Sequence, residues 1–347
     1  MKKINVAIIG ASGYTGVELI RILLNHPNVN ISNLVANSNS NQNISDIYGH
    51  LSNFDLPILK KLVDVDFSLT DLVFSCLPHA TSHEIILDLY NKYKNLKIID
   101  LSADFRIDDK NDYKEFYQHE HKAFNIQKEA IYGLCEINRN KIKKSRLIAS
   151  PGCYPTSALL PLIPLLKNKL IKPENIIIDS KSGTSGAGRS LKQNILFCEV
   201  NNSVKAYSIG SHRHICEMEQ ELSKVSESKV FIDFTPHLLP VNRGIISTIY
   251  CDLNKDYAIE DARNCLETIY HDEYFVNILN KEVSISDVVG TNFCNISVNK
   301  SRSKNKITIV SVIDNLCKGA SGQAVQSMNI LFGFDEKMGL AINPIFP

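Results

Sequence analysis

Apolar positions run almost unbroken from Ile4 to Ile9, the pattern of a parallel strand covered on both faces. Gly10, Gly13 and Gly16 follow, and Val17, Ile20, Leu23 and Leu24 then recur at helical spacing. The chain therefore opens as strand, glycine turn and helix. Val29–Val35 and Asp71–Cys76 predict a second and a third strand, and Leu96–Asp100 another. Thr81, with Glu84 three residues on, predicts a capping box for the helix between the last two. Alternation of this kind demands right-handed crossovers and a parallel sheet with helices on both faces.

After Pro151-Gly152-Cys153 the rhythm changes. Strand-like runs at Ile176–Asp179, Val230–Phe234, Gly244–Cys251 and Ile307–Ile313 arrive without a helix between each pair, and a helical stretch from Ser321 to Phe332 closes the chain. That last stretch is expected to return to the first domain. The fold class is thus α/β: a Rossmann-type dinucleotide-binding domain from residues 1–152 and 319–347, plus an α+β substrate and oligomerisation domain from 153–318.

Composition narrows the function. A length of 347 residues exceeds the roughly 250–300 at which single cores stop growing, in keeping with two domains. Lys plus Arg (38) nearly cancels Asp plus Glu (37), so no net field is available to hold nucleic acid or an anionic membrane, and a small-molecule partner is expected. Nine scattered cysteines, an odd number without C-x-x-C, fit reduced thiols and a cytoplasmic location better than disulfides or zinc. Met1-Lys2-Lys3 and the apolar run behind it imitate a targeting segment, but the glycines, Glu18 and Arg21 interrupt it too early. No apolar run approaches the ~20 residues of a membrane span.

The glycine turn has the context of a pyrophosphate site, with a strand before it and helix N–H groups after it; a plain strand-to-helix turn is the competing reading. An NAD site would place an acid at the end of the second strand. Here Ala36-Asn37-Ser38-Asn39-Ser40 carries none, which favours NADP. Cys153 precedes Tyr154-Pro155-Thr156 and a long apolar stretch, and Pro155 suits a first helical turn. A thiol there meets the positive end of a helix and is a candidate nucleophile, whereas an ordinary cysteine is a small buried hydrophobe. His212-Arg213-His214 reads as an acid/base pair with an anion-binding arginine, as a metal pair, or as a polar turn; no third ligand lies at metal-site spacing. The loop Ser182–Arg189 lacks a Walker lysine and is either an anion or amide cradle or a flexible connector. Arg106, just past the strand ending at Asp100, offers a fork for a carboxylate or phosphate, or else a surface ion pair.

Together these segments resemble the N-acetyl-gamma-glutamyl-phosphate reductases, relatives of aspartate-semialdehyde dehydrogenase. The resemblance rests on Gly10–Gly16, Leu77-Pro78-His79, Asp100–Arg106, Tyr132-Gly133-Leu134, Pro151–Thr156, Ser182–Arg189, His212-Arg213-His214, Thr235–Leu238 and Asp314–Gly319. The family pattern has prolines where Cys135 and Cys216 stand and an arginine where Asn39 stands, and Pro161 adds a kink site beyond the Cys153 turn. The resemblance implies NADPH-dependent reduction of an acyl phosphate to a semialdehyde in arginine biosynthesis, with Cys153 as nucleophile, His212 as the acid/base group and His214 as second candidate. It implies cofactor contacts from Gly10, Ser12, Gly13, Tyr14, Thr15, Gly16, Ser38, Cys76, Leu77, Pro78, Ser185, Gly186 and Asn315, and substrate contacts from Arg106 and Arg189. It further implies a homodimer or homotetramer and, as the alternative, an aspartate-semialdehyde-type reduction of another acyl phosphate; the residue spacing gives no reason to expect a metal.

Overall fold

In the computed structural model, which describes residues 3–345, the first apolar run forms β1 (Ile4–Ile9) and the glycine turn leads into α1 (Tyr14–Leu23). There follow β2 (Val29–Val35), α2 (Ile44–Ile47), β3 (Leu59–Lys60), β4 (Leu72–Ser75), α3 (Ser82–Lys92), β5 (Lys97–Asp100), α4 (Lys110–Tyr117), β6 (Ala130–Tyr132), α5 (Cys135–Ile142) and β7 (Leu147–Ala149). The seven strands pair in parallel in the order β3-β2-β1-β4-β5-β7-β6. β1 sits centrally, with Val6, Ala7 and Ile8 fully buried. The strand order reverses between β1 and β4, and parallel sheets bind ligands outside the carboxyl ends of the strands at such a point.

One local expectation is corrected. Thr81 is the N-cap residue of α3 but makes no capping bond; its hydroxyl donates instead to the Pro78 carbonyl (2.7 Å), and Glu84 turns outward to Lys122 (2.8 Å). The start of α3 is satisfied from outside, because Asp104, arriving from beyond β5, accepts the Ala80 and His83 amides (2.7 and 3.0 Å). A carboxylate offers more than a threonine hydroxyl at a helix N-terminus, since it adds a negative charge to the acceptor.

The second unit begins with α6 (Cys153–Lys167), whose residues from Tyr154 to Leu166 are all buried, as befits a helix apolar on every side. Then come β8 (Ile176–Gly183), α7 (Phe197–Val200), β9 (Lys205–Ala206), α8 (His214–Ser223), β10 (Ile232–Leu239), β11 (Ile245–Asp252), α9 (Ile259–Ile269), β12 (Val276–Ile278), β13 (Cys294–Lys300) and β14 (Lys306–Ile313). They form a mixed sheet in the order β12-β13-β14-β11-β8-β10-β9. Helices α6, α8 and α9 cover one face. On the other, Asp179, Lys181 and His237 are only partly covered. α6 continues through Pro161 and Pro164 as one helix. Pro164 cannot bond the Leu160 carbonyl four residues back, and the Tyr270 hydroxyl takes that carbonyl instead (2.5 Å).

The chain ends with α10 (Gly322–Phe332), which packs on α1 and α5: Gln323 Nε2 donates to the Gly133 carbonyl (3.0 Å), and Cys135 Sγ meets Ser327 Oγ (3.2 Å). The first compact unit therefore runs to Pro151 and resumes at Ala320–Ala341; the second comprises Gly152–Gly319 and the segment starting at Ile342. Among the described residues no helix is long and apolar enough to cross a membrane.

Candidate active site

In the second unit the site is built on the first turn of α6. Gly152 is its N-cap and Cys153 its first residue, half-buried where Cys135, Cys216, Cys251, Cys294 and Cys317 are buried. A helix start of this kind favours negative charge on the thiol. The turn is pinned from α8, where Glu217 Oε1 accepts the Gly152 amide (2.8 Å). Gly319 closes in from the other side: a Cβ there would lie 2.8 Å from that of Cys153, so no larger residue fits without displacing the thiol.

The two histidines and two tyrosines complete this cluster. The His212 ring lies 5.6 Å from Tyr154, 5.7 Å from Tyr207 and 5.4 Å from Phe234, and His214 stacks edge-on at 4.8 Å from His212. His212 Nδ1 accepts the His214 amide (3.1 Å), which leaves the ring proton of the neutral form on Nε2. Burial and then the Arg213 guanidinium pull His212 down to about 3, so it is neutral near pH 7. Tyr154 and Tyr207 share a hydroxyl contact of 3.0 Å, and both are pushed up, chiefly by burial, with the Cys153 charge adding to the effect. Both remain hydroxyls, and the thiol lies close enough for its charge to reach them.

The Ser182–Arg189 loop is tied down. Ser185 and Gly186 lie in the tight turn Thr184–Ala187; Asn315 Nδ2 donates to Ser185 Oγ (2.9 Å) while its Oδ1 accepts the Gly244 amide (2.7 Å). Next to it Asp314, fully buried, takes Arg243 through both oxygens (2.9 and 3.1 Å) and the Gly290, Leu316 and Cys317 amides (2.7, 2.8 and 2.9 Å). Arg189 is exposed at the loop's end.

The first unit holds the glycine turn. Gly10 has φ +82°, and a Cβ there would lie 2.6 Å from the Cys76 carbonyl oxygen; at Gly16 it would lie 2.5 Å from that of Gly10. Only glycine closes this turn. α1 starts at Tyr14 and Thr15 with Gly13 as N-cap, no side-chain cap and no acid in its first turn, so its N–H end is left to an anion. Ser12 accepts the Tyr48 hydroxyl on its carbonyl (2.9 Å). Cys76, Leu77 and Pro78 leave β4 beside this turn, and Ser38 lies in a short turn after β2, donating to Asn39 Oδ1 (3.3 Å). This setting fits a dinucleotide: a glycine turn at the switch point, an uncapped helix start and hydroxyls in place of an acid. Arg106 is buried, with Nη2 on the Leu101 carbonyl (2.8 Å).

Sequence reasoning passed over Glu217, Tyr207 and Gly319. Glu217 carried a signal, three residues after His214 and so on the same helical face, and Gly319 closes the Asp314–Gly319 segment on which the resemblance rests.

Comparison with known proteins follows this division. Residues 5–145 match the family model described as semialdehyde dehydrogenase, NAD binding domain, and residues 153–315 that described as semialdehyde dehydrogenase, dimerisation domain. A probable chloroplastic N-acetyl-gamma-glutamyl-phosphate reductase of Arabidopsis thaliana is 49% identical over all of this chain and 86% of its own length; the N-acetyl-gamma-glutamyl-phosphate reductase of Rhodospirillum rubrum is 49% identical over 100% and 99%. The chain belongs to the N-acetyl-gamma-glutamyl-phosphate reductase family. Solved structures extend the fold beyond these reductases. Aspartate semialdehyde dehydrogenase II of Vibrio cholerae superposes with TM-score 0.74 at 16% identity over 96% of this chain and 99% of its own, and the NADP complex of the Candida albicans enzyme with 0.63 at 16% over 95% and 99%.

Proposed function

We propose that this reductase converts N-acetyl-gamma-glutamyl phosphate to N-acetylglutamate 5-semialdehyde with release of phosphate, using NADPH, in arginine biosynthesis. The observation that carries the reading is the setting of Cys153: first residue of a buried helix, backbone held by Glu217, with the next residue, Tyr154, sharing a hydroxyl contact with Tyr207 and packing edge-on against the neutral His212 ring. The Cys153 thiolate forms a C–S bond to the acyl carbon as the C–O bond to phosphate breaks, leaving a thioester and free phosphate. When bound, the nicotinamide cofactor supplies the hydride that brings this carbonyl to the aldehyde level. His212 holds its proton on Nε2, the form that donates to an oxygen gaining negative charge at the Cys153-bound carbon, and the thiolate is restored as the aldehyde leaves. His214 is the second candidate for that proton.

The residues assigned to cofactor are Gly10, Ser12, Gly13, Tyr14, Thr15, Gly16, Ser38, Cys76, Leu77 and Pro78 from the first unit and Ser185, Gly186 and Asn315 from the second; Arg106 and Arg189 are assigned to the anionic groups of the substrate. The first unit, with α10, is read as the cofactor domain, the second as the catalytic and oligomerisation domain. The partly covered sheet face around Asp179, Lys181 and His237 is where a second copy would seat in a homodimer, or in a homotetramer built from it. Nine free thiols suit a reducing, cytoplasmic setting.

The test is the reverse reaction: NADP, inorganic phosphate and N-acetylglutamate 5-semialdehyde should yield NADPH, and omission of phosphate should abolish it. Formation of NADPH from aspartate semialdehyde in preference would move the substrate to the sister reaction. None from either would end the reading.

A further inference from the structure

We propose that Asp104, which no cofactor or substrate assignment includes, is a positioning residue for cofactor binding: it clamps the segment from Cys76 to Thr81 at the switch point of the first sheet. The inference rests on the reading of the first unit as the NADPH unit.

The segment leaves β4 where the strand order reverses, and its Cys76 carbonyl lies against the Gly10 turn. It would not hold this shape unaided. Ala80 has φ +65°, a left-handed conformation that a side-chain-bearing residue adopts at a cost, and Thr81 does not cap α3. Asp104 supplies what is missing. Oδ1 accepts the Ala80 amide (2.7 Å), Oδ2 accepts the His83 amide (3.0 Å), and the Tyr113 hydroxyl donates to Oδ1 (2.8 Å).

The clamp is itself anchored. His121 Nε2 bonds the Asp104 carbonyl (2.6 Å), Ser102 Oγ accepts the Asp104 amide (3.1 Å), and Tyr113 stacks on Tyr117, whose ring meets His79 edge-on at 5.6 Å. His83 Nδ1 stands 3.3 Å from Oδ2 without hydrogen-bond geometry, so the carboxylate is spent on backbone amides rather than on an imidazole. Asp104 and Tyr113 are both fully buried, which leaves neither free to touch a ligand. A carboxylate so placed can act on the cofactor only through the segment it fixes.

Asparagine keeps the shape but turns an amino group toward donors. NADPH binding, read as fluorescence enhancement of the reduced nicotinamide, should weaken roughly 10- to 100-fold in Asp104→Asn, while kcat at saturating NADPH and the substrate KM stay within about threefold of wild type. Hydrogen exchange in the cofactor-free protein should show the Ala80 and His83 amides losing protection. Adding Ala80→Gly, which removes the cost of the left-handed turn, should recover about fivefold or more of the lost affinity, a rescue that loss of general stability does not predict. If Asp104→Asn does not fold, Tyr113→Phe decides, with affinity expected to fall about two- to fivefold through the loss of one donor. Wild-type affinity in a folded Asp104→Asn, unchanged protection at Ala80 and His83, or no rescue by glycine overturns the clamp. Failure of the wild-type protein to bind NADPH overturns the cofactor reading and the clamp with it.

Discussion

Each unit buries a pair of histidines at nearly the same spacing, ring centroids 4.9 Å apart for His83 and His121 and 4.8 Å for His212 and His214. Their surroundings give them opposite work. The first pair closes around Asp104, so its neighbourhood carries an anion committed to holding backbone. The second packs against the rings of Tyr154, Tyr207 and Phe234 with Arg213 beside it, a setting that keeps an imidazole neutral and its proton on a defined nitrogen. A buried histidine pair is therefore not a functional signature by itself. What decides is whether the adjoining charge is tied to the main chain or acts on the imidazole itself.

The sharpest way to break this contrast is to remove one ring from each pair. His212→Asn should lower kcat by ~10²–10⁴-fold with NADPH affinity unchanged, and His214→Asn should cost less. His121→Gln should leave kcat at saturating NADPH within about twofold while losing about 1–3 kcal/mol of unfolding free energy, measured by urea denaturation, because the Asp104 carbonyl and the Ala123 amide lose their partner. Equal losses of kcat from the two units would erase the distinction. Acid should then expose what the pairs share. His121 and His212 are held down to about 4 and about 3 from 6.5, so the unfolded chain takes up protons first and stability falls as pH drops from about 6.5 toward 4. Asp100 opposes this: burial and the Asp104 charge push it up to about 6, so the folded state protonates first and gains as pH falls below 6. Burial also lowers His26, so three histidines against one carboxyl leave a net acid loss, which His121→Gln should reduce; a flat stability profile between pH 7 and 4 would contradict it. The smallest effect is a test of cause. Arg213→Ala should raise His212 in an NMR titration by less than burial lowers it, and leave His121 in place.

Much of this was legible in the chain where the signals are local. β1 is a short apolar run bounded by turns, β2 and β5 carry apolar residues among polar ones, and Cys153 stood out because a Pro-Gly turn, a helix-compatible proline and an apolar stretch converge within a few residues. Where the partner is distant, the sequence says little. The cap of α3 was assigned to Thr81 because the pattern is local, whereas its true acceptor arrives after an intervening strand. Glu217 reaches Gly152 only because α8 packs on α6, and the need for glycine at 319 appears only once Cys153 is beside it. The edge strands β3 and β9, two residues each, are too short for any periodicity to register.

The return of α10 to the first unit has a consequence for synthesis. Domains tend to form in the order in which they leave the ribosome. Here the unit that emerges first must wait longest, because its α5 lacks cover until Gln323 reaches the Gly133 carbonyl and Ser327 reaches Cys135. Every strand of the second sheet, through Ile313, has been made before then. A nascent chain stalled just after β14 would therefore carry every strand of the second sheet, while the first unit would still lack the helix that covers its α5.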